Sequence, residues 1–193
     1  MINTFRIGSV HGKLNPGGRS EAKIRNDIFL IGFISVEVLR GKNIPVRLVG
    51  YEMPTKKNNR NRDECIDLFG YDNNHKPYII EVKRPTAKDK INDVIEQIFR
   101  YEKQFINIYK DVESEIKIKY NWKDFRFSDG VGKIILSGRS FYMNKRKEGT
   151  LGSYRELGIY MCSFARISND EDPYKLLDKF GSKGILRLKI ENR

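Results

Sequence analysis

Two short segments carry residue types that could do chemistry: Ile66-Asp67-Leu68-Phe69-Gly70-Tyr71 and, across a polar turn, Tyr78-Ile79-Ile80-Glu81-Val82-Lys83-Arg84. Side chains alternate along an extended strand, so Glu81 and Lys83 share one face while Ile80 and Val82 fill the other. Asp67 on a partner strand can lie opposite them. Two carboxylates and an ammonium then meet at one spot, which is the set that phosphodiester hydrolysis needs. Carboxylates hold Mg2+, a hard cation that prefers oxygen ligands. Such an ion polarises a phosphoryl oxygen and supplies a hydroxide nucleophile. An ammonium beside it orients the attacking water or stabilises charge in the transition state. A bare Glu-x-Lys is ordinarily a solvated ion pair on a strand face. This one differs because an Asp stands in an apolar strand 14 residues earlier, a turn joins the two strands, and an amphipathic helix follows.

The elements that must position these groups are legible from periodicity. Asp72, Asn73, Asn74 and Pro77 supply turn chemistry, so Cys65–Tyr71 and Tyr78–Arg84 form a hairpin that Pro85 closes. From Lys88 to Lys110, Ile91, Val94, Ile95, Ile98, Phe105 and Tyr109 recur at helical spacing. Gln97 and Tyr101 lie four apart on that helix, at the edge of its apolar face. Upstream, residues 1–18 read as a Gly-rich lead-in. Ser20 then caps a helix from Glu21 to Arg40, ending at Gly41, whose middle is apolar all round and suits a buried position or a subunit contact. Ile44–Met53 is a strand stopped by Pro54, and 55–63 is a basic loop with Lys56, Lys57, Arg60 and Arg62. Downstream, Ile116–Phe127 is ambiguous. Gly132–Leu136 and Leu157–Ala165 are strands separated by a basic stretch with Lys133, Arg139, Lys145, Arg146 and Lys147. Tyr174–Phe180 is a short helix and Ile185–Ile190 a last strand. The order implies one α/β domain over 1–193 with a central mixed sheet flanked by helices, in which 20–110 form the core of the site and 111–193 the remaining strands.

The hairpin resembles the PD-(D/E)xK nuclease superfamily, whose pattern is an Asp at the start of one strand and Glu-x-Lys in the next. Asp67, Glu81 and Lys83 match those positions, and Ile66 stands where the Pro of the name would be. The resemblance is best over residues 63–105. It implies a restriction-endonuclease-like core and a Mg2+-dependent nuclease acting on DNA, with Mn2+ as a possible substitute. Some branches carry Gln-x-x-x-Tyr in the following helix, which Gln97-Ile98-Phe99-Arg100-Tyr101 fits. Those two side chains would then hold a phosphate or position the Lys; otherwise Tyr101 is a core aromatic and Gln97 a boundary residue. The superfamily often adds an acidic ligand from the first helix. Glu21 is the candidate, or else it only compensates the helix dipole, and Glu37 is a weaker substitute. A homodimer is common in the family, with the apolar first helix as its contact.

Composition bounds the rest. Among 193 residues, 37 Lys and Arg face 25 Asp and Glu, a formal charge of +12 that points to a polyanionic partner, most simply nucleic acid. Lys56, Lys57, Arg60, Arg62 and Arg84 border the hairpin and would grip phosphates. Two cysteines, Cys65 and Cys162, cannot make a disulfide framework and imply a reducing, cytoplasmic setting. Cys65 faces the same side as Asp67 as a small apolar filler. The longest apolar run, Ile28–Val36, is roughly half of a membrane span, so no membrane association is expected. His11 in the lead-in and His75 in the hairpin turn are expected at the surface. A non-catalytic nucleic-acid binder with the same fold is the alternative to an enzyme.

Overall fold

The structure, a computed structural model, describes residues 4–8, 20–39, 42–56, 65–147, 157–163 and 186–190. Helix α1 (Glu21–Ile31) starts at Ser20, whose hydroxyl accepts from the Lys23 N–H at 3.2 Å. The cap is the expected one, but the helix is much shorter than expected. Gly32 adopts φ +80° and returns its N–H to the Phe29 carbonyl, a left-handed stop that only glycine adopts without strain. Phe33–Leu39 is instead strand β1, with Ile34 and Val36 buried and Phe33 exposed, the period of two that a strand requires. The apolar run Ile28–Val36 is therefore a helix end joined to a strand start. Glu37 consequently lies on β1 rather than on a helix.

Six further strands and two helices follow: β2 (Lys42–Pro54), β3 (Cys65–Asp72), β4 (Pro77–Val82), α2 (Ile91–Tyr120), β5 (Gly132–Ser137), α3 (Arg139–Lys147), β6 (Ile159–Ser163) and β7 (Leu186–Ile190). The chain is α/β with a mixed sheet. β1 to β4 pair antiparallel in sequence order, β4, β5 and β6 run parallel, and β6 pairs antiparallel with β7. β7 also pairs parallel with β1, so the ring of strands closes on itself. The β3–β4 turn is held by Asp72, whose Oδ1 accepts from the Asn74 and Lys76 N–H groups at 2.8 and 2.9 Å.

Helices cover both faces. α1 buries Ile24, Ile28 and Ile31 against Ile34, Leu68, Ile80, Val82, Ile134 and Leu136. Its apolar side is thus taken by its own sheet, with Leu30 of α1 and Phe33 at the start of β1 left exposed. On the opposite face α2 buries Ile91, Val94, Ile98, Phe105, Val112 and Ile116 against Met53, Phe69, Ile79 and Ile135. Each such side chain contributes roughly 1.5–3 kcal/mol. α2 runs 30 residues, past the expected end at Lys110 and into the ambiguous segment, because Ile108, Val112 and Ile116 continue the buried stripe every fourth residue. The basic stretch after β5 contains the unexpected helix α3, which buries Phe141 and Tyr142. The helix expected at Tyr174–Phe180 lies outside the described residues. No helix among the described residues is long and apolar enough to cross a membrane.

Candidate active site

The β3–β4 ladder ends at the pair Leu68 and Ile80. One step further, the Val82 N–H donates to Asp67 Oδ2 at 2.9 Å, so a carboxylate takes the hydrogen bond that a ladder carbonyl would otherwise accept. β4 meanwhile stays paired with β5, and beyond its last pair the Lys83 N–H donates to the Leu136 carbonyl at 2.9 Å. Asp67 therefore sits where the hairpin pairing stops, beside a strand that remains fixed on its other edge. Glu81 is 2% exposed, and its Oε1 lies 2.9 Å from Lys83 Nζ, which is also 3.8 Å from Asp89 Oδ1. Glu81 Oε2 is buried and has no hydrogen-bond partner.

α1 brings a second set of charges. Glu21 Oε2 accepts from the Arg84 N–H at 3.1 Å. One turn on, Arg25 donates through Nη1 to Asp67 Oδ1, and its Nη2 lies 3.2 Å from Glu52 Oε1. Glu52 is a non-glycine residue at φ +43°, and its carbonyl accepts from Arg6 Nη1 at 2.8 Å.

Three carboxylates (Glu21, Asp67, Glu81) thus face two cations, and one of these, Arg25, is shared with Glu52. The electrostatics follow from that imbalance. Burial, then the Asp67 carboxylate, push the Glu81 carboxyl up to about 8, against the pull of Lys83. Burial also raises Glu21, with Lys83 opposing. Lys83 is held above its ordinary value: burial works against its charge, but Glu81, then Glu21 and Asp89, outweigh it. Arg25 is likewise raised, burial being outweighed by Asp67 and then Glu52. Lys83 and Arg25 are therefore the permanent charges, and Glu81 is the acid that an additional cation would ionise.

That donor set suits a hard divalent ion. Mg2+ is usually held by one or two carboxylates, with water or substrate oxygens completing its shell. Asp67 and Glu81 would hold it, the partnerless Glu81 Oε2 being the oxygen most in need of a cation. Among the described residues no three His, Cys, Asp or Glu side chains form an ion-binding group. Arg25, Lys83 and the Arg84 N–H each take one oxygen of Asp67, Glu81 and Glu21.

The Gln97–Tyr101 pair lies on the α2 face that meets the sheet. Gln97 Nε2 donates to the Tyr101 hydroxyl at 2.9 Å. Tyr101 is 2% exposed, so it is a buried residue rather than a boundary one. Burial raises its pKa, opposed by Gln97 and reinforced by Glu81 and then Asp67, which places its hydroxyl within electrostatic reach of the carboxylates.

The basic residues divide. Lys56 and Arg84 are exposed, whereas Lys57, Arg60 and Arg62 lie outside the described residues, as does His11. Lys133 is buried, 2.7 Å from Glu102 Oε1 and over the Phe99 ring, so it is a structural cation. His75 is half-buried, its ring packed against Trp122 and Phe125 at ring distances of 4.8 and 4.9 Å. Cys65 is a buried thiol whose pKa burial raises.

Arg25, Glu52 and Asp89 did not emerge from sequence reasoning. Arg25 had a signal: it stands one turn after Glu21, so a helix that aims Glu21 at the hairpin aims Arg25 there too. Glu52 and Asp89 had none, because each depends on how β2 and the β4–α2 connection meet the site. No family model, curated protein or solved structure matches this chain.

Proposed function

We propose that the protein is a metal-dependent nuclease of the PD-(D/E)xK kind, hydrolysing phosphodiester bonds in DNA with Mg2+, or Mn2+ in its place. Its β2–β4, α1 and α2 elements would be the counterpart of a restriction-endonuclease-like core. The observation that carries this reading is Glu81 Oε2, buried and partnerless beside Asp67 and Lys83. A bound divalent ion would supply Lewis acidity and an activated water. Asp67 and Glu81 would orient that ion, Asp67 itself being fixed by the Val82 N–H. Lys83, kept protonated by its carboxylate neighbours, would donate to the attacking water or to a phosphoryl oxygen as negative charge develops there. Tyr101, aligned by Gln97, would act from the α2 side. The alternative, a non-catalytic nucleic-acid binder, is favoured by one observation: Arg25 already occupies Asp67.

Incubating the protein with linear, circular, single-stranded and branched DNA, and with RNA, in Mg2+ or Mn2+ separates the two. Wild type should cleave at least one DNA. Asp67→Asn and Lys83→Ala should each lose a factor on the order of a hundred or more while still binding nucleic acid. No cleavage by wild type on any substrate would favour the binder, and undiminished cleavage by both variants would place the chemistry elsewhere.

A further inference from the structure

Arg25 is the cation that any ion arriving at Asp67 must confront. Its Nη1 donates to Asp67 Oδ1, its Nη2 lies 3.2 Å from Glu52 Oε1, and its Nε is buried without a partner. Asp67 does not need Arg25 for its orientation, since Oδ2 is already fixed by the Val82 N–H at 2.9 Å. Glu52, by contrast, is held independently: Arg6 Nη1 donates to its backbone carbonyl at 2.8 Å and lies 3.8 Å from its carboxylate, and it belongs to β2. One end of the guanidinium is thus tied to a fixed carboxylate outside the triad, while the other covers an oxygen that a metal ion would use. Two cations on one carboxylate repel each other, strongly so where water is scarce.

We propose that Arg25 is a resident counter-cation of the site, displaced from Asp67 by a divalent ion and retained by Glu52 at its edge, where its planar fork then takes a substrate phosphate. The inference rests on the nuclease reading of the site but concerns a residue that reading did not use. The exchange has a simple charge logic. Without an ion, Arg25 offsets the crowding of Glu21, Asp67 and Glu81. With one, that offset is redundant, and a guanidinium is well suited to bidentate phosphate binding. Ion binding and nucleic-acid binding would therefore be coupled through this side chain.

The test is Mn2+ binding by calorimetry to wild type and to Arg25→Met, which keeps much of the aliphatic bulk and loses the charge. The variant should bind Mn2+ roughly tenfold more tightly, as expected when one competing cation is removed at close range. In Ca2+, wild type should bind DNA more tightly than without ion, and Arg25→Met should lose most of that gain. Should the variant fail to fold, arginine side-chain NMR of wild type decides: Ca2+ should release the restrained Arg25 guanidinium from its metal-free environment. Mn2+ affinity equal to or below that of wild type, or an Arg25 signal unmoved at saturating Ca2+, overturns the proposal. If wild type cleaves DNA yet Arg25→Met binds Mn2+ no better, this inference fails and the nuclease reading stands. If Arg25→Met binds Mn2+ more tightly but wild type cleaves nothing, the counter-cation stands and the nuclease reading fails. If neither protein binds Mn2+, both fall.

Discussion

At Glu81, burial and the Asp67 carboxylate oppose ionisation more than Lys83 favours it, which links the site to stability. From an ordinary value of 4.5 its carboxyl is pushed up to about 8 in the folded chain. Between those values the folded state binds the extra proton, so this group's contribution is fully present at low pH and is lost as pH rises through that window. Ion-free protein should show its urea midpoint falling from pH 5 to pH 8, and Glu81→Gln should flatten that fall. An unaltered slope in the variant would assign the titration to Glu21, whose carboxyl is raised in the same direction. The Gln97–Tyr101 bond gives a second residue-scale test. Tyr101→Phe removes a buried hydroxyl and should cost about 1 kcal/mol of stability, as one hydrogen bond typically does. It should lower cleavage by more than that loss of folded protein explains. A purely proportional fall would leave Tyr101 as a core aromatic whose hydroxyl does no more than bond Gln97. The meeting of Glu81 and Lys83 was readable because strand alternation alone puts them on one face. Arg25 had only the indirect signal of standing one turn after Glu21, because its bond to Asp67 depends on how another element packs on the hairpin.

The hairpin and the two elements around it illustrate which parts of a fold local sequence encodes. β3, β4 and their Asp72 turn are contiguous, and alternation plus turn residues specify them without reference to anything distant. The switch from α1 to β1 is different. Ile28–Val36 is apolar but for Gly32 and Ser35, so periodicity cannot separate a buried helix from a strand. What divides it is Gly32, whose conformation the sequence does not announce. Closure of the sheet through β1 and β7 is less local still, since it joins elements near opposite ends of the described chain. α2 outran its expected end because Val112 and Ile116 prolong the buried stripe, while Glu113 and Glu115 on the same stretch accept backbone N–H groups of Phe127 and Phe5. The role given to Gly32 has a direct check. A Cβ there would meet nothing within 4 Å, so Gly32→Ala is strained only by φ +80° and should cost about 1–2 kcal/mol. Gly70→Ala should cost more, because its Cβ would press on the Arg47 carbonyl, which belongs to the β2 backbone. Urea midpoints measure both, and a neutral Gly32→Ala would mean that the helix end tolerates another conformation.

For the molecule as a whole, the formal +12 is not a uniform coat of available cations. Lys133 is held by Glu102, Lys23 pairs with Asp27 at 2.7 Å, and Arg25 and Lys83 face carboxylates of the site. Attraction for a polyanion must then come from exposed groups. Among those bordering the hairpin, Arg84 follows Lys83 directly, and Lys56 stands just after Pro54, which pairs with Cys65 at the start of β3. If Lys56, Lys57, Arg60 and Arg62 grip phosphates, replacing all four by Ala should weaken DNA binding and flatten its dependence on salt. For every phosphate that is no longer neutralised, the slope of log affinity against log salt should fall by about 0.9. Lys133→Ala provides the counterweight, because it removes the same type of charge from a buried position. It should lower the melting temperature by stranding Glu102 and opening space beside Phe99, yet leave the salt slope nearly unchanged. Titrating DNA binding at several salt concentrations for wild type and both variants distinguishes direct phosphate binding from background charge. A slope that falls in proportion to net charge in both variants would mean that DNA senses only the overall field. A slope that falls in the loop variant alone would tie the bound phosphates to the segment that joins Pro54 to Cys65 rather than to the overall field.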